Sequence, residues 1–477
     1  MNRPIVRLYA LVVLLFALLV AFTSRWTVFE ASTLRDNHFN VRKLLEQKRI
    51  ERGEITTEDG TVLARSKPAG EGTYERIYPT RELFSNAIGY AFVETGQTGL
   101  ETDRDHLLSG ETQEYVQAIL DQLQGKRRQG DNVITTLDPK AQLVAAKALA
   151  GHEGAVVALD PRSGAVKVMA SSPGFDPNRA SSLSGLKQLN ASAGSPLVNR
   201  ATQFGYAPGS SFKIVTATAA IDTGSFSPSS TLSGRNGIVV SGVPLNNDNN
   251  ETFGQITLTE ALAHSVNTVW AQVAEQLGKQ TLARYMERFG FDHKPRLDYP
   301  SSEMSSSGEY LAGRLIRPTS PEVDVGRMGI GQDKLQVTPL QMAEVAAAVA
   351  DRGRLMAPHL TQKIVDPEGR IVEQISPSVQ AVVMKPSTAS AVTQMMEAVV
   401  KEGTGTSAQI PGVAVAGKTG TAETQIGAAI NNVWFIAFAP TSAPRVAIAV
   451  TLKGVPGQGA SFAAPVAREV MEVLLHD

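Results

Sequence analysis

An uninterrupted apolar run near the N-terminus, over residues 8–22, determines where the rest of this chain must fold. Arg3 and Arg7 precede the run, and Arg25 follows it. About 20 mainly apolar residues span a bilayer, and the run reaches that length if the Arg7 side chain extends to the lipid headgroups. Basic residues at its start favour a cytoplasmic N-terminus. The sequence therefore predicts one membrane anchor, with residues 28–477 outside the cytoplasmic membrane.

A cleaved signal peptide is the alternative interpretation of this run. Signal peptidase requires small residues at the third and the first position before the bond that it cuts. Residues 20–25, Val-Ala-Phe-Thr-Ser-Arg, arrange their small side chains poorly for such a cut. We therefore predict an uncleaved segment, with a cytoplasmic tip and a transmembrane helix over residues 1–27.

Composition narrows the functions open to the exported part. Apolar residues make up 42% and charged residues 19%, and the formal net charge is -1, so a disordered polyelectrolyte or a nucleic-acid binder is not expected. The chain has no cysteine, which excludes disulfides, thiolate nucleophiles and cysteine-containing zinc sites. Its seven histidines form no His-Glu-x-x-His pattern. No metal and no cofactor are predicted.

The exported part divides into two regions by its sequence pattern. Residues 28–130 alternate short apolar pieces with charged loops, which is typical of small strands and turns. Asp59-Gly60 between extended segments predicts a hairpin, because glycine supplies the positive φ of a tight turn. Residues 113–129 have a helical pattern that ends in three basic residues. We predict a non-catalytic pedestal domain here.

Residues 131–477 form the second predicted domain. Asp138-Pro139 caps a predicted helix that extends to residue 150. Five strands, two near the start of this region and three near its end, are predicted to form one antiparallel sheet, with a closing helix at 463–475. The predicted strands are 155–159, 165–170, 413–421, 432–439 and 446–452, and the predicted helices between them are 212–221, 258–277 and 339–352.

A serine and a lysine three residues apart mark the start of one apolar helix. Pro208-Gly209 ends a loop, and Ser210 then lies at a helix N-terminus, where free backbone N–H groups favour developing negative charge. Positions three apart share a face, so Lys213 can reach the Ser210 hydroxyl. A buried lysine with a lowered pKa can activate a serine nucleophile. An N-cap serine followed by a surface lysine is the plainer alternative for this pattern alone.

Two further motifs follow in the chain. Ser265-Val266-Asn267 lies inside or just after an apolar helical stretch and offers a hydroxyl and an amide to one cleft. Lys418-Thr419-Gly420-Thr421 follows a strand pattern, where the two threonines point to one face and the glycine allows a ligand backbone to approach closely. An edge strand protected by a lysine is the alternative for this second motif.

The order and spacing of the three motifs resemble those of the class B penicillin-binding proteins. The resemblance extends over nearly the whole chain, and residues 199–213 are most similar to the actinobacterial A type. Its further motifs are Arg52-Gly53-x-Ile, Thr98-Gly99-Leu100-Glu101, Leu108-x-Gly110, Asn199-Arg200-Ala201 and Trp434-Phe435.

The family implies an α/β fold and three parts. These are the membrane helix (1–27), a small mixed β-rich pedestal or dimerisation-like domain (28–130), and a β-lactamase-like transpeptidase domain (131–477) with a five-stranded antiparallel sheet flanked by helices. It also implies peptidoglycan stem peptides and β-lactams as ligands. A polytopic membrane glycan polymerase of the elongation or division machinery is the implied partner.

The resemblance assigns a role to each motif residue. Ser210 attacks the carbonyl between the last two D-alanines of a donor stem peptide, and Lys213 accepts its proton. Ser265 with Lys418 passes the proton to the departing D-alanine, and Asn267 orients the donor amide.

The remaining implied roles concern the strand motif. The backbone N–H groups of Ser210 and Thr421 form the oxyanion hole. Lys418, with Thr419 and Thr421 on either side of Gly420, holds the terminal carboxylate.

Three other functions compete with this assignment. Residues 412–419 match a P-loop letter by letter, but strand formers fill the loop and no helix pattern follows. A class A β-lactamase needs a glutamate-held water, and no Glu-x-x-Leu-Asn pattern lies between Asn267 and Lys418. A β-lactam sensor needs cytoplasmic signalling sequence, and few residues precede Arg7. His264 is interpreted as structural. Residues 246–250 and 301–307 are interpreted as exposed loops, either of which could border the cleft.

Overall fold

The protein is described here by a computed structural model over residues 3–25, 46–111, 128–423 and 430–476. The chain divides into two compact units. The smaller comprises residues 1–51, 67–75 and 114–128, and the larger comprises residues 52–66, 76–113 and 129–477. The predicted helix at 113–129 lies almost entirely outside the described residues.

The smaller unit contains helix α1, Arg3–Ser24. Its 22 residues rise about 33 Å, which matches the roughly 30 Å hydrocarbon core of a bilayer. No residue of α1 is buried by the protein. Within the described part of the chain, α1 is the one helix long and apolar enough to cross a membrane, and it fits the predicted single-pass anchor.

Helices of the larger unit are numbered in chain order after α1. They are α2 Ser85–Ile88, α3 Gly99–Asp103, α4 Asp105–Leu108, α5 Pro139–Ala148, α6 Leu183–Asn190, α7 Lys213–Asp222, α8 Leu258–Ala263, α9 Asn267–Arg288, α10 Val325–Gly329, α11 Pro339–Ala350, α12 Pro386–Lys401 and α13 Gly459–His476.

The strands are numbered in the same way. They are β1 Ile55–Thr57, β2 Val62–Gly70, β3 Thr73–Ile77, β4 Ala91–Phe92, β5 Gly96–Gln97, β6 Asn132–Thr135, β7 Glu153–Leu159, β8 Val166–Ser172, β9 Thr231–Ser233, β10 Ile238–Val240, β11 Val243–Leu245, β12 Gln255–Thr257, β13 Gly308–Leu311, β14 Arg314–Ile316, β15 Leu335–Gln336, β16 Arg354–Met356, β17 Thr361–Val365, β18 Ile371–Gln374, β19 Val379–Val382, β20 Ala416–Glu423, β21 Asn431–Ala439 and β22 Val446–Val455.

The five-stranded sheet confirms the predicted architecture. Its order is β20-β21-β22-β7-β8, and every neighbouring pair is antiparallel. Successive side chains of a strand point to opposite faces. Accordingly, Ala447 and Ala449 of β22 pack in the core that contains α11, while Ile448 and Val450 pack in the core that contains α13. The sheet thus has a helical layer on each face, and β20 is an edge strand.

Helix α11 is buried at every residue, as its mainly apolar sequence predicts. Pro339 is at its first position, and the Thr338 side chain accepts a hydrogen bond from the Gln341 N–H, so the buried N-terminus is capped. The helix ends at Ala350, two residues before the predicted end.

A second sheet pairs strands that are far apart in the sequence. The hairpin β1–β2 confirms the turn predicted at Asp59-Gly60. Strand β6 pairs in parallel with β1 on one side and antiparallel with β17 on the other, and β18 follows β17. These pairings join strands on both sides of the domain boundary predicted at residue 131.

Candidate active site

Ser210 lies in a single 3-10 turn, Gly209–Phe212, and helix α7 follows directly. The helix predicted over 212–221 therefore lies one residue later in the chain, and Ser210 is in the turn that precedes its N-terminus. The Lys213 N–H bonds to the carbonyl of Ser210, a spacing of three residues that tightens the backbone before the helix. Ser210 is half-buried, whereas Ser211 is buried and donates its hydroxyl to the Pro208 carbonyl at 2.8 Å. Of the two serines, Ser210 is the accessible one.

Strand β20 lies against this serine turn without room for side chains between them. A Cβ on Gly420 would lie 2.6 Å from the Pro208 carbonyl oxygen, and a Cβ on Gly209 would lie 2.5 Å from the Thr421 carbonyl oxygen. Glycine at both positions permits this close approach. The serine turn thus occupies the space where a Gly420 side chain would lie, and the close approach of a ligand backbone to this strand stays a prediction.

Trp434 fixes the same turn from the neighbouring strand. It pairs with Gly420 across β20 and β21, and it is fully buried. Its indole Nε1–H donates to the Ala207 carbonyl at 2.9 Å. A buried indole needs such a partner, so this bond both satisfies Trp434 and holds the chain just before Ser210.

Ser265 lies at a break between two helices rather than within one. The helix predicted over 258–277 is divided into α8 and α9, and Ser265 has a φ of 58° between them. Few residues other than glycine adopt this left-handed conformation, which cannot continue a helix. The break frees the Ser265 carbonyl from the helical ladder and turns it, with the hydroxyl, toward Lys213.

Lys213 is fully buried, and its amine is held by this break. Nζ donates to the Ser265 carbonyl at 2.8 Å and to Asn267 Oδ1 at 2.7 Å, and it lies 3.3 Å from Ser265 Oγ. Burial, followed by the positive charge of Lys418, lowers the pKa of Lys213 well below its usual value. No hydrogen bond joins Nζ to Ser210 Oγ among the described residues; such catalytic contacts are often long before substrate binds.

Lys418 approaches Ser265 from the edge strand. This lysine is fully buried, and Nζ donates to Ser265 Oγ at 3.0 Å and to the Thr419 carbonyl at 3.0 Å. Burial lowers its pKa to about 7, although the charge of Asp248 acts in the opposite direction. One serine hydroxyl is therefore shared by two buried amines, and Ser265 connects the two motifs predicted to act together.

The Asn267 amide is engaged at both ends. Its Oδ1 accepts from Lys213, while Nδ2 donates to the Asn246 carbonyl at 3.2 Å and to Asp248 Oδ1 at 3.4 Å. The loop 246–250 therefore borders the site, and the sequence alone did not show which asparagine-rich or serine-rich loop would do so. Asp248, an exposed carboxylate, is a site residue that the sequence analysis missed.

The side-chain hydroxyls of both threonines in the strand motif have hydrogen-bond partners. Thr419 Oγ1 lies 2.6 Å from Thr404 Oγ1 and 3.4 Å from Lys418 Nζ. Thr421 Oγ1 accepts a hydrogen bond from the Gly459 N–H at 3.4 Å, where α13 begins. The predicted residues of this motif thus lie together beside Ser210 and Ser265.

Other predicted features lie outside this cluster. His264 is exposed, and its ring stacks on Phe253 at a centroid distance of 5.9 Å, which agrees with a structural role. Residues 412–419 do not form a P-loop, because the lysine and threonine lie within β20. The segment 301–307 was predicted to be exposed, but Ser307 is fully buried, and its Oγ accepts a hydrogen bond from the Thr338 N–H.

Comparison with known proteins decides the family. A family model described as the penicillin binding protein transpeptidase domain matches residues 154–472, and one described as the penicillin binding protein A dimerisation domain matches residues 52–133. The first model covers more than half of the chain. The chain belongs to the class B penicillin-binding proteins.

Similar proteins of known name support this membership at full length. The peptidoglycan D,D-transpeptidase PbpA of Mycolicibacterium smegmatis is 31% identical over 500 residues, which cover 100% of both chains. The solved ceftriaxone acyl-enzyme complex of penicillin-binding protein A from M. tuberculosis is 30% identical, with a TM-score of 0.82 over 90% of this chain and 100% of that chain. The D,D-transpeptidase domain of a peptidoglycan glycosyltransferase from Eggerthella lenta is 32% identical, with a TM-score of 0.78 over 90% and 99%.

The N-terminal motifs of this penicillin-binding protein form a buried ionic cluster. Glu101 is completely buried and pairs with Arg52 at 2.9 Å and with Arg76 at 2.6 Å. Arg52 also pairs with Asp105 at 2.6 Å. Removing one partner of such a cluster leaves a buried charge uncompensated, which is strongly destabilising. These motif residues therefore stabilise the fold of the N-terminal region and take no part in the reaction.

Proposed function

We propose that Ser210 is the nucleophile of this class B penicillin-binding protein. The chain is a serine-type peptidoglycan D,D-transpeptidase. Its serine is acylated by the D-Ala-D-Ala end of a donor stem peptide, D-alanine leaves, and the acyl group passes to an acceptor amine. β-Lactams acylate the same serine. The observation that carries the assignment is the convergence of the buried Lys213 and Lys418 amines on the Ser265 hydroxyl, beside the accessible Ser210.

Lys213 is the proton acceptor in this proposal. A neutral amine has two hydrogens and one lone pair, and the two short contacts to the Ser265 carbonyl and Asn267 Oδ1 use both hydrogens. The lone pair remains for the Ser210 proton. As Ser210 Oγ bonds to the donor carbonyl carbon, its proton moves to Lys213, and the carbonyl π electrons move to the oxygen.

Ser265 and Lys418 complete the transfer. When the tetrahedral intermediate collapses, the C–N bond to the last D-alanine breaks, and the nitrogen takes a proton from the Ser265 hydroxyl. Ser265 is in turn reprotonated from a neighbouring ammonium, Lys418 or Lys213. Lys418 is placed for this step because its Nζ already donates to Ser265 Oγ at 3.0 Å.

The close packing of the serine turn on β20 supports the proposed oxyanion hole. The Ser210 and Thr421 N–H groups are assigned to the carbonyl oxygen, and each such donor is worth about 2.7–4 kcal/mol in transition-state stabilisation. Thr419 and Thr421, on either side of Gly420, bind the terminal carboxylate together with the Lys418 charge. Asn267 is assigned to the donor amide while it holds Lys213.

The anchor and the partner belong to the same proposal. The basic residues Arg3 and Arg7 support a cytoplasmic N-terminus, and the catalytic domain then lies outside the membrane. A transpeptidase cross-links the stem peptides of nascent glycan strands, which a glycan polymerase makes. A polytopic membrane glycan polymerase is therefore the proposed partner.

An exchange reaction tests the proposed function. The protein is incubated with a peptide ending in D-Ala-D-Ala and with a D-amino acid as the acceptor amine, and products are followed by mass spectrometry. We expect release of D-alanine together with the exchanged peptide, and loss of both in Ser210→Ala. Release without any exchanged peptide would indicate a carboxypeptidase instead, and exchange by the Ser210→Ala variant would exclude Ser210 as the nucleophile.

A further inference from the structure

The turn after helix α12, residues 403–405, lies against the break that contains Ser265. The Thr404 N–H donates to the Ala263 carbonyl at 3.0 Å, and a Cβ on Gly403 would lie 2.3 Å from the same oxygen. Because this backbone contact leaves so little space, Thr404 is held next to the end of α8. None of the sequence motifs included this turn.

The Thr404 side chain extends from this turn to the edge strand. Its Oγ1 lies 2.6 Å from Thr419 Oγ1, and either hydroxyl can donate. The exposed fraction of Thr419 is 6%, while Thr404 is half-buried. Thr404 thus bridges the helix break, through Ala263, and the lysine-threonine-glycine strand, through Thr419.

The direction of this hydrogen bond determines what Thr419 offers a ligand. A hydroxyl has one hydrogen and can accept two hydrogen bonds. Lys418 Nζ lies 3.4 Å from Thr419 Oγ1. When this amine is charged it has no lone pair, so in this contact it is the donor and Thr419 Oγ1 is the acceptor. If Thr404 also donates, both acceptor positions of Thr419 are filled and its own hydrogen is free. If Thr419 donates to Thr404 instead, no hydrogen remains for a ligand.

We propose that Thr404 is a positioning residue for carboxylate recognition: it donates to Thr419 Oγ1, so that the Thr419 hydrogen points to the terminal carboxylate of the donor peptide or β-lactam. This inference rests on the proposed function, in which Thr419 binds that carboxylate. Thr404 itself contacts no reacting atom. Its effect is to fix the direction of a hydroxyl that carries the specificity.

The test compares two probes on three proteins. The probes are benzylpenicillin, which has the carboxylate, and its methyl ester, which lacks the charge. The proteins are the wild type, Thr404→Val, which keeps the shape but removes the hydroxyl, and Thr404→Ser, which retains it. The second-order rate constant of acylation is measured for each pair by intact-protein mass, and thermal unfolding checks that each variant is folded.

The expected result is a loss of discrimination rather than of reactivity. The acid-to-ester ratio is the acylation rate constant for benzylpenicillin divided by that for its methyl ester. It should fall roughly tenfold in Thr404→Val, because hydrogen bonds to charged groups are stronger than those between neutral groups. The loss should appear as weaker initial binding of the acid, with the limiting acylation rate little changed. Thr404→Ser should keep the wild-type ratio within about threefold, because its hydroxyl can make the same bond.

Three outcomes overturn the inference. An unchanged acid-to-ester ratio in Thr404→Val excludes the positioning role, and so does an equal fall for acid and ester, which would indicate a structural role only. A Thr404→Ser variant that behaves like Thr404→Val shows that the hydroxyl is not the cause. If Thr404→Val does not fold, Thr404→Ala is measured in its place with the same criteria. Failure of the proposed function is distinct, since wild-type Ser210 would then not be acylated by either probe.

Discussion

Lys213 and Lys418 are both buried, but their surroundings favour different charge states. Each amine has three oxygen contacts: Lys213 with the Ser265 carbonyl, Ser265 Oγ and Asn267 Oδ1, and Lys418 with Ser265 Oγ and two oxygens of Thr419. Burial and the charge of Lys418 lower the pKa of Lys213 well below its usual value, whereas burial lowers the pKa of Lys418 to about 7. The Asp248 carboxylate raises the pKa of both amines against the effect of burial. An exposed loop residue therefore helps to set the charge of two buried groups, and the pH dependence of acylation should reveal it.

Removing the Asp248 charge should shift the pH profile of acylation. Asp248→Asn keeps an oxygen for the Asn267 amide but removes the negative charge, so the pKa of Lys213 and of Lys418 should fall. A general base acts when it is deprotonated, and the rate rises with pH through its pKa. The acid limb of the profile should therefore move to lower pH.

The matched control for this change is Glu251→Gln, which removes the same charge from an exposed position three residues further on. The rate of penicillin acylation is measured for both variants from pH 5 to pH 9, so that the acid limb of the profile can be followed on both sides of neutral pH. An acid limb that stays in place in Asp248→Asn, or moves equally in Glu251→Gln, contradicts the role given to Asp248.

Replacing Lys213 by a permanently charged group should abolish its action as a base. Lys213→Arg keeps a positive charge that is not given up at working pH, and the acylation rate constant should fall about 10²–10⁴-fold. Lys279→Arg is the control, because Lys279 also donates to a backbone carbonyl, that of Ser320 at 2.7 Å, away from the site. Near-normal acylation of Lys213→Arg by penicillin would mean that another group is the base.

At the scale of elements, the site depends on a helix break that the sequence pattern did not indicate. The apolar periodicity of residues 258–277 is compatible with one continuous helix, and local preference gives no reason to interrupt it at Ser265. The break is stabilised by a non-local contact, since the Ser265 carbonyl that it frees accepts from Lys213, 52 positions away. Sequence periodicity contains information only about residues that are close in the chain. It therefore located the Ser265 motif but did not predict the backbone conformation there.

Packing between the serine turn and β20 gives a prediction at this scale. In Gly420→Ala the new methyl group would lie 2.6 Å from the Pro208 carbonyl oxygen and 2.9 Å from Trp434 Cβ, so the turn must move. A displacement of about 1 Å at a reacting group can cost 10²-fold in rate. We expect acylation to fall by about that factor while the protein stays folded.

A glycine with space around it is the control for this change. Gly254→Ala places its methyl group where nothing lies within 4 Å, so acylation and thermal unfolding should both match the wild type. Acylation rate constants and unfolding temperatures are measured for both variants. A Gly420→Ala protein that acylates at the wild-type rate would show that the close approach of β20 does not position Ser210.

At the scale of the whole molecule, the sequence predicted the structural features that depend on residues close together in the chain. The antiparallel sheet of five strands followed from the strand patterns, and helix α1 from the apolar run. The pairing of β6 with β17 was not predicted, because the sequence of neither strand indicates that it pairs with one more than 200 positions away. Which of the two candidate loops borders the site, 246–250 through its contact with Asn267, could not be predicted for the same reason. Three short motifs could be placed together only because their spacing resembles a family.

The proposed orientation of the anchor can be measured on intact cells. A single span with a cytoplasmic N-terminus exposes everything after about residue 26 to external protease, because Arg3 and Arg7 remain inside. Immunoblots against tags at the two termini should show loss of the C-terminal tag and survival of the N-terminal one. A C-terminal domain that is protected until the cells are broken would contradict this placement.

The central claim is that Ser210 forms a stable acyl-enzyme, and the mass of the intact protein after a penicillin pulse tests it most directly. A transpeptidase waits for an amine acceptor, so the wild type should gain one penicilloyl mass that persists over hours. Ser210→Ala should gain none. Ser211→Ala should still be labelled, because the Ser211 hydroxyl is buried and bonded to the Pro208 carbonyl. Rapid loss of the adduct with repeated turnover of penicillin would indicate a β-lactamase, and labelling that depends on Ser211 would show that the nucleophile was assigned to the wrong serine.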